Sequence, residues 1–122
     1  MKTFIVIGAV AMALGVILGA FGAHGLKNKL TPDLLAVYQT GVEYHLYHAL
    51  GLILVGILAV QFPQVSGLKL GGWLLLAGIL IFSGSLYVLA ISGVRWLGAI
   101  TPIGGLAFIA GWVWIAWSLV RG

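Results

Sequence analysis

The stretch TFIVIGAVAMALGVILGAFGAHGL, residues 3–26, contains no Lys, Arg, Asp or Glu, and similar stretches follow at residues 44–68, 70–94 and 96–120. An α-helix of about 20 mainly apolar residues crosses a hydrocarbon core of about 30 Å, because each residue adds about 1.5 Å. The sequence therefore predicts an all-α, polytopic membrane protein. Its four transmembrane helices are expected at about residues 3–23, 32–62, 70–92 and 98–120.

The composition excludes a water-soluble globular protein. Of the 122 residues, 62% are hydrophobic and 7% are charged, and the mean hydropathy is +1.20, whereas soluble domains carry about 25% charged residues. Four spans use most of the chain, so residues 1–122 are expected to form a single transmembrane domain with the lipid bilayer as its main partner. The net charge of +4 comes from six scattered basic residues, which do not form the basic patch of a nucleic-acid-binding protein.

The chain contains no Cys, which excludes disulfides, thiolate metal sites and a Cys nucleophile. No stretch carries a specific catalytic, nucleotide-binding or metal-binding motif. We therefore expect no catalytic residues, no cofactor and no enzymatic activity. The apolar run at residues 3–26 exceeds an ordinary signal-peptide core, so it is expected to persist as the first helix.

The second helix has a well-marked start. Thr31 is placed to act as its N-cap, Pro32 occupies its first helical position, and Asp33 lies at the positive end of the helix dipole. From there the helical pattern continues to Pro63, a length of about 45 Å. The first half must lie along the interface, project into water or bend near Gly41. We expect an amphipathic interfacial extension at the start of helix two.

Small residues recur at intervals of seven in all four spans. Such a repeat keeps one seam facing a neighbour only if the helices wind left-handedly. The pattern predicts a tight, left-handed four-helix bundle, with Gly15, Gly19, Gly78 and Gly111 at helix–helix contacts. The seven-residue series comprise Gly8, Gly15, Gly22, Ala49, Gly56, Gly71, Gly78, Ser85, Ser92, Gly104, Gly111 and Ser118.

Helix one also carries a second series of small residues. Ala11, Gly15, Gly19 and Ala23 follow one another at intervals of four, which suits a right-handed crossing or a contact between two copies of the chain. We favour packing within one chain for both series.

A dense polar cluster lies in helix two. Gln39, Glu43 and Tyr47 follow one another at intervals of four, so they lie along one side of the helix. An ionisable residue in a membrane is costly and is a functional candidate by default, although Glu43 could also lie at the headgroup level or pair with Lys27 or Lys29. The candidate functional cluster comprises His24, Gln39, Glu43, Tyr44, His45, Tyr47 and His48.

The histidines allow two interpretations. Three neutral imidazoles from His24, His45 and His48 could hold zinc or copper, but Glu43 could not join both helix-two histidines because it lies about 200° around the helix from His45. Alternatively, the three side chains form hydrogen bonds to backbone or Tyr hydroxyl groups. We favour hydrogen bonding and expect no metal.

Two further groups of polar residues lie in helices three and four. Ser83, Ser85 and Tyr87 are expected to bond across helices or to a carbonyl one turn earlier, in preference to lining a substrate pathway. Thr101 and Pro102 precede two glycines and mark either a helix start, which we favour, or a broken helix of the kind that lines ion sites in transporters.

Several motifs together resemble one known family. They are FGAHGL at residues 21–26, YQTGVEYHLYHAL at residues 38–50, FSGSLY at residues 82–87 and ITPIGG at residues 100–105. They are similar to the YgdD/YwdK family of small, uncharacterised bacterial inner-membrane proteins, which has a small transmembrane relative in animals. The resemblance covers essentially the whole chain. It implies four spans and a multi-pass location in the bacterial cytoplasmic (inner) membrane, and it implies no activity.

Three functions are compatible with these observations. The first is a non-enzymatic accessory, assembly or scaffold protein, acting in a larger membrane complex or as a homo-oligomer. The alternative is a small oligomeric transporter or channel that uses Glu43, His45, His48 and the Thr101–Pro102 break. An enzyme with a His-bound metal ranks third.

The membrane orientation is not determined by the sequence. Cytoplasmic loops carry an excess of Lys and Arg, but here each side carries three basic residues. They are Lys2, Lys69 and Arg121 on one side and Lys27, Lys29 and Arg95 on the other.

Overall fold

The computed structural model, which describes residues 2–122, is built from helices. Four continuous helical segments are long and apolar enough to cross a membrane: Thr3–Leu26, Pro32–Gln61, Leu68–Ser92 and Arg95–Arg121. This confirms the predicted all-α fold with four spans. The α-helices are α1 (Thr3–Phe21), α2 (Pro32–Gln61), α3 (Leu68–Gly78), α4 (Gly84–Ser92) and α5 (Thr101–Arg121).

Three short segments of other helix types complete the spans. A π-helical turn, Gly22–Leu26, carries the first span beyond its predicted end at residue 23. A second π-helical turn, Ile79–Ser83, joins α3 to α4 without interrupting the span. A 3₁₀ turn, Arg95–Ala99, precedes α5, so that α5 begins at Thr101 and not at residue 98.

The predicted start of α2 is confirmed. The Thr31 hydroxyl accepts a hydrogen bond from the Leu34 amide at 3.5 Å, and Pro32 occupies the first turn. Asp33 accepts a hydrogen bond from the Thr31 hydroxyl and pairs with Arg95 at 2.9 Å. The cap is local to α2, and the exposed ion pair links this end of the helix to the 3₁₀ turn that precedes α5.

The structure narrows the expected interfacial extension of helix two. The α2 helix continues without interruption through Gly41 to Gln61. Tyr38 is 1% exposed, and its hydroxyl donates to the Leu18 carbonyl at 2.6 Å. From Tyr38 onward one face of the helix is therefore packed against the bundle. The interfacial position of the start of α2 stays a prediction.

Glycines bring α1 and α2 close together in antiparallel order. A Cβ atom at Gly8 would lie 2.8 Å from the Ala49 carbonyl oxygen, and one at Gly15 would lie 2.6 Å from Leu46 Cδ2. At Gly19 the added atom would contact Val42 at 3.3 Å. Gly8, Gly15 and Gly19 thus pack within the chain, as predicted. The handedness of the bundle stays a prediction.

The third and fourth spans also pack through glycines. The α5 helix packs mainly on α3 and on the π-helical turn that follows α3, whereas α2 contacts α1, α3 and α4. A Cβ atom at Gly78 would overlap Phe108, and one at Gly111 would lie 2.9 Å from Leu75 Cδ2. These contacts confirm the predicted positions of both glycines. The main apolar core consists of Phe4, Leu52, Val55, Val65, Leu68, Leu75, Ile79, Phe108 and Ile115.

Antiparallel packing separates the charged residues into two ends. One end carries Lys27, Lys29, Asp33 and Arg95, and the other carries Lys2, Lys69 and Arg121. Because α2 contains 30 residues, it is about 45 Å long and its midpoint lies between residues 46 and 47. The position of a side chain along α2 can be given as its distance from this midpoint.

Candidate functional site

His45 is buried and its two ring nitrogens have different partners. Nε2 lies 2.7 Å from the Ala11 carbonyl oxygen, and a carbonyl can only accept, so Nε2 carries the proton and donates. Nδ1 lies 2.8 Å from the Tyr87 hydroxyl and accepts from it. The neutral imidazole is thus fully hydrogen-bonded, and it links α2 to both α1 and α4.

His48 has the opposite tautomer. Its Nδ1 lies 2.8 Å from the Tyr44 carbonyl oxygen and donates to it, while Nε2 accepts from the Trp112 indole at 3.0 Å. The ring also stacks on Phe108, with 3.6 Å between the ring centroids. Because an indole N–H can only donate, a proton or a metal ion on Nε2 would have to displace Trp112.

The hydroxyl groups of α4 and its preceding π-helical turn are engaged within the bundle. Ser83 is fully buried and donates to the Gly41 carbonyl of α2 at 2.7 Å. Ser85 lies 2.6 Å from the Thr101 hydroxyl of α5 and donates to the Phe82 carbonyl at 2.9 Å. Thr101 and Pro102 are the first two residues of α5. Ser83 and Ser85 thus link this segment to α2 and α5.

The structure does not bring the three histidines together. In the part of the chain that it describes, no three His, Asp or Glu side chains are grouped so that they could hold a metal ion. His24 is exposed on the π-helical turn that follows α1, whereas His45 and His48 are buried and hydrogen-bonded. The metal-free state stays a prediction.

Glu43 lies on the outer surface of α2. It is exposed, as are Gln39 and Thr40, and Tyr47 is 59% exposed. We call these four residues the polar stripe. Across residues 2–122 the one ion pair joins Arg95 and Asp33, so Glu43 is not paired with Lys27 or Lys29 there.

Glu43 lies within the second candidate span, Pro32–Gln61. If residues 32–37 lie outside the hydrocarbon core, the midpoint of the remaining residues 38–61 falls between residues 49 and 50. Glu43 would then lie about 10 Å from the centre of a core of about 30 Å and roughly 5 Å inside its boundary. No other Lys, Arg, Asp or Glu occurs between Asp33 and Lys69.

The other outward-facing surfaces of the bundle are apolar. The second half of α2 exposes Leu50, Leu54 and Ile57 in continuation of the polar stripe. The outer surfaces of α1 and α5 expose Val6, Val10, Leu14, Ile17 and Phe21, and Ile103, Leu106, Ile109 and Val113. The polar stripe is thus a local departure from a surface suited to lipid.

A groove lies beside the polar stripe, between α2 and the end of the first span. Its volume is about 190 Å³. Small residues form its floor on the side of the first span, and Gln39 and Glu43 form part of its wall on the side of α2. The lining residues are Gly19, Gly22, Ala23, Tyr38, Gln39, Val42 and Glu43.

The residues of the transporter alternative do not share one cavity. Glu43 lines the groove beside the polar stripe, whereas His45 borders a separate apolar cavity of about 310 Å³ between α1 and α3. His48 is enclosed by Phe108 and Trp112. Sequence reasoning missed Trp112 as the partner of His48, since the register between α2 and α5 is not encoded in the spacing of either helix.

Comparison with known proteins finds one matching family, described as "Protein of unknown function (DUF423)", over residues 18–105. The chain is 50% identical over 121 residues to the UPF0382 membrane protein YwdK of Bacillus subtilis (strain 168), covering 99% of this chain and 98% of that protein. It is 49% identical over 121 residues to a UPF0382 membrane protein of Staphylococcus haemolyticus (strain JCSC1435), with the same coverage. No solved structure matches the chain.

Proposed function

The chain belongs to the DUF423 family of membrane proteins of unknown function, and we propose that it acts as a non-enzymatic assembly component of the bacterial cytoplasmic (inner) membrane. In this role the polar stripe of α2 binds another protein chain within the bilayer. The bound chain covers Glu43 and supplies the hydrogen-bond donors that this side chain lacks within its own bundle.

The outward-facing position of Glu43 within a candidate membrane span carries this proposal. A charged residue near the centre of a bilayer costs about 2.5 to 3.5 kcal/mol even on the lower, insertion-based scales, and such residues usually face protein or water. Glu43 instead faces outward, and the nearest charged residues lie at the two ends of the bundle. A partner chain that donates hydrogen bonds to the carboxyl group would remove most of this cost.

The buried polar groups support a structural role over a catalytic one. The unprotonated nitrogen of His45 is occupied by Tyr87, and that of His48 is occupied by Trp112. A general base or a metal ligand needs a free lone pair directed at its substrate or metal. These two side chains instead connect α2 to α1, α4 and α5.

In-cell photocrosslinking tests the proposal. A photoreactive amino acid replaces Thr40, which lies on the polar stripe. The matched control replaces Ile103, which lies at the same level on the outer surface of α5 and is 57% exposed. We expect discrete protein adducts from position 40 and only lipid adducts from position 103. Lipid adducts alone at both positions would overturn the proposed function.

A further inference from the structure

Two cavities follow one another between α1 and α3. Both helices begin at the end of the bundle that carries Lys69, so they run parallel to each other. The first cavity lies at that end and has a volume of about 230 Å³; its lining includes Thr3, Lys69 and Trp73. The second, of about 310 Å³, lies further along both helices and is lined by aliphatic side chains together with His45.

The lining residues of both cavities lie on one face of each helix. On the α3 side, Lys69, Trp73, Leu76 and Leu80 follow one another at intervals of three or four, which is the spacing of a single helix face. The α1 side has the same spacing between residues 3 and 14. The two cavities are therefore successive parts of one seam, which we call the α1–α3 groove.

The α1–α3 groove changes from polar to apolar along its length. Thr3 and Lys69 lie at its end, and Trp73 follows one turn further into the span, as is usual for aromatic residues at a membrane interface. Beyond Trp73 the lining is aliphatic apart from His45, and both ring nitrogens of His45 are hydrogen-bonded within the bundle. A phospholipid has the same order along its length, with a charged headgroup followed by a hydrocarbon chain.

The length of the groove matches one leaflet of a bilayer. On the α1 side the lining extends from residue 3 to residue 14, about 16 Å along the helix axis. Half of a hydrocarbon core of about 30 Å is about 15 Å. An acyl chain whose headgroup lies at the start of the groove would therefore run along the whole groove within its own leaflet.

The charge of Lys69 points to an anionic headgroup. Lys69 is exposed, and the two acidic residues of the chain, Asp33 and Glu43, both lie in the half of α2 that starts at the opposite end of the bundle. Within residues 2–122 the one ion pair joins Asp33 to Arg95. The counter-charge for Lys69 must therefore come from a bound molecule or from solvent.

We propose that the α1–α3 groove binds one anionic phospholipid, whose phosphate pairs with Lys69 and one of whose acyl chains occupies the apolar part of the groove. Basic pockets between transmembrane helices recognise anionic headgroups in this way. The residues that line the groove and those of the polar stripe are different, so the inference goes beyond the proposed function and does not depend on it.

Native mass spectrometry of the protein in a mild detergent tests the choice of headgroup. The protein is titrated with dioleoyl phosphatidylglycerol, which is anionic, or with dioleoyl phosphatidylcholine, which is zwitterionic and has the same acyl chains. We expect the anionic lipid to bind about 5-fold more tightly, the effect of about one basic residue beside an anionic lipid. Equal binding of the two lipids would overturn the inference.

Two substitutions that remove the same charge locate the headgroup. Lys69→Gln should bind both lipids equally. Arg121→Gln should keep the preference for the anionic lipid, because Arg121 lies at the same end of the bundle but on α5, whereas both cavities are lined from α1, α2, α3 and the π-helical turn that follows α3. A preference that survives in Lys69→Gln, or that is lost equally in both variants, would overturn the inference.

A matched pair of substitutions on α1 tests the acyl chain. Val10 lines the apolar part of the groove, whereas Val16 lies on a different face of α1; the two side chains are 56% and 57% exposed. Val10→Trp should reduce binding of both lipids because the indole takes the place of the acyl chain and its van der Waals contacts. Val16→Trp should bind as the parent does.

Thermal unfolding in detergent checks that both Trp variants are folded, which is expected because both valines face outward. Undiminished lipid binding by folded Val10→Trp would overturn the inference, as would an equal loss of binding in Val10→Trp and Val16→Trp.

Discussion

Two adjacent glycines in α5 offer a matched test of the helix packing. A Cβ atom at Gly104 would lie 2.7 Å from both Cα and Cβ of Phe82 and closer still to its backbone nitrogen, whereas one at Gly105 would contact only the Phe82 ring, at 3.8 Å. Phe82 backbone atoms cannot rotate away as a flexible side chain can, so Gly104→Ala must push α5 away from the π-helical turn Ile79–Ser83. Overpacking of this kind costs about 1 to 3 kcal/mol.

Both substitutions introduce the same residue at neighbouring positions of one helix. The gain in helix propensity, up to about 1 kcal/mol, is therefore common to both variants. The difference between them isolates the steric cost, and we expect Gly104→Ala to be less stable than Gly105→Ala by about 1 to 3 kcal/mol.

Reversible unfolding in mixed micelles of a mild and a denaturing detergent measures this difference, with Trp fluorescence as the readout, since the chain contains 5 Trp residues. Gly105→Ala should unfold at the same or a higher fraction of denaturing detergent than the parent protein. Equal stability of Gly104→Ala and Gly105→Ala would refute the packing of α5 against the backbone of the π-helical turn.

Three further predictions concern the histidines and the start of α2. Trp112→Phe removes the donor to His48 and should lower the free energy of unfolding by about 1 to 3 kcal/mol, because a buried acceptor is left unpaired; an unchanged unfolding curve would contradict this. Elemental analysis of the purified protein should find no stoichiometric zinc, copper or iron, and one equivalent of metal that is lost on His45→Ala would refute the hydrogen-bonding interpretation. A Cys at Thr31 should react with a polar maleimide in intact vesicles while a Cys at Tyr38 should not; equal labelling would place the start of α2 outside the bundle.

The spans and the start of α2 could be predicted because their signals are local. Runs without charged residues fix the number of spans, since each run must satisfy its backbone hydrogen bonds internally in lipid. Thr31, Pro32 and Asp33 mark the beginning of α2 through capping, a fixed φ angle and the helix dipole. Each of these effects acts within a few residues and needs no knowledge of the rest of the fold.

The π-helical turn Ile79–Ser83 could not be predicted because its side chains and backbone contact other helices. Within Ile79–Ser83, Ser83 is placed to donate to the Gly41 carbonyl of α2, and Phe82 is placed against Gly104 of α5. Nothing in the residues from 79 to 83 themselves favours a π-helix over an α-helix. The turn is therefore understood only once three helices are seen together.

In the candidate site, too, features set by local signals could be predicted, whereas features set by contacts between helices could not. Helical periodicity placed Glu43 on the opposite side of α2 from His45, and the structure has one exposed and the other buried. Periodicity does not exclude a break near Gly41, whereas the structure has one uninterrupted helix from Pro32 to Gln61. The two tautomers depend on Ala11, Tyr87 and Trp112, which are remote in sequence, and no spacing rule connects them to the histidines.

Oxygen accessibility of a spin label tests most directly whether the polar stripe is covered by protein. A label at position 40 is compared with one at position 103, which lies at the same level of the bundle because Gly104 packs on Phe82 and Ser83 bonds to Gly41, in protein returned to vesicles of its native lipids. We predict low collision rates with oxygen at position 40 and high rates at position 103, because oxygen is concentrated in lipid and excluded from packed protein interfaces. A label at position 40 that meets oxygen as often as the label at position 103 would contradict the account.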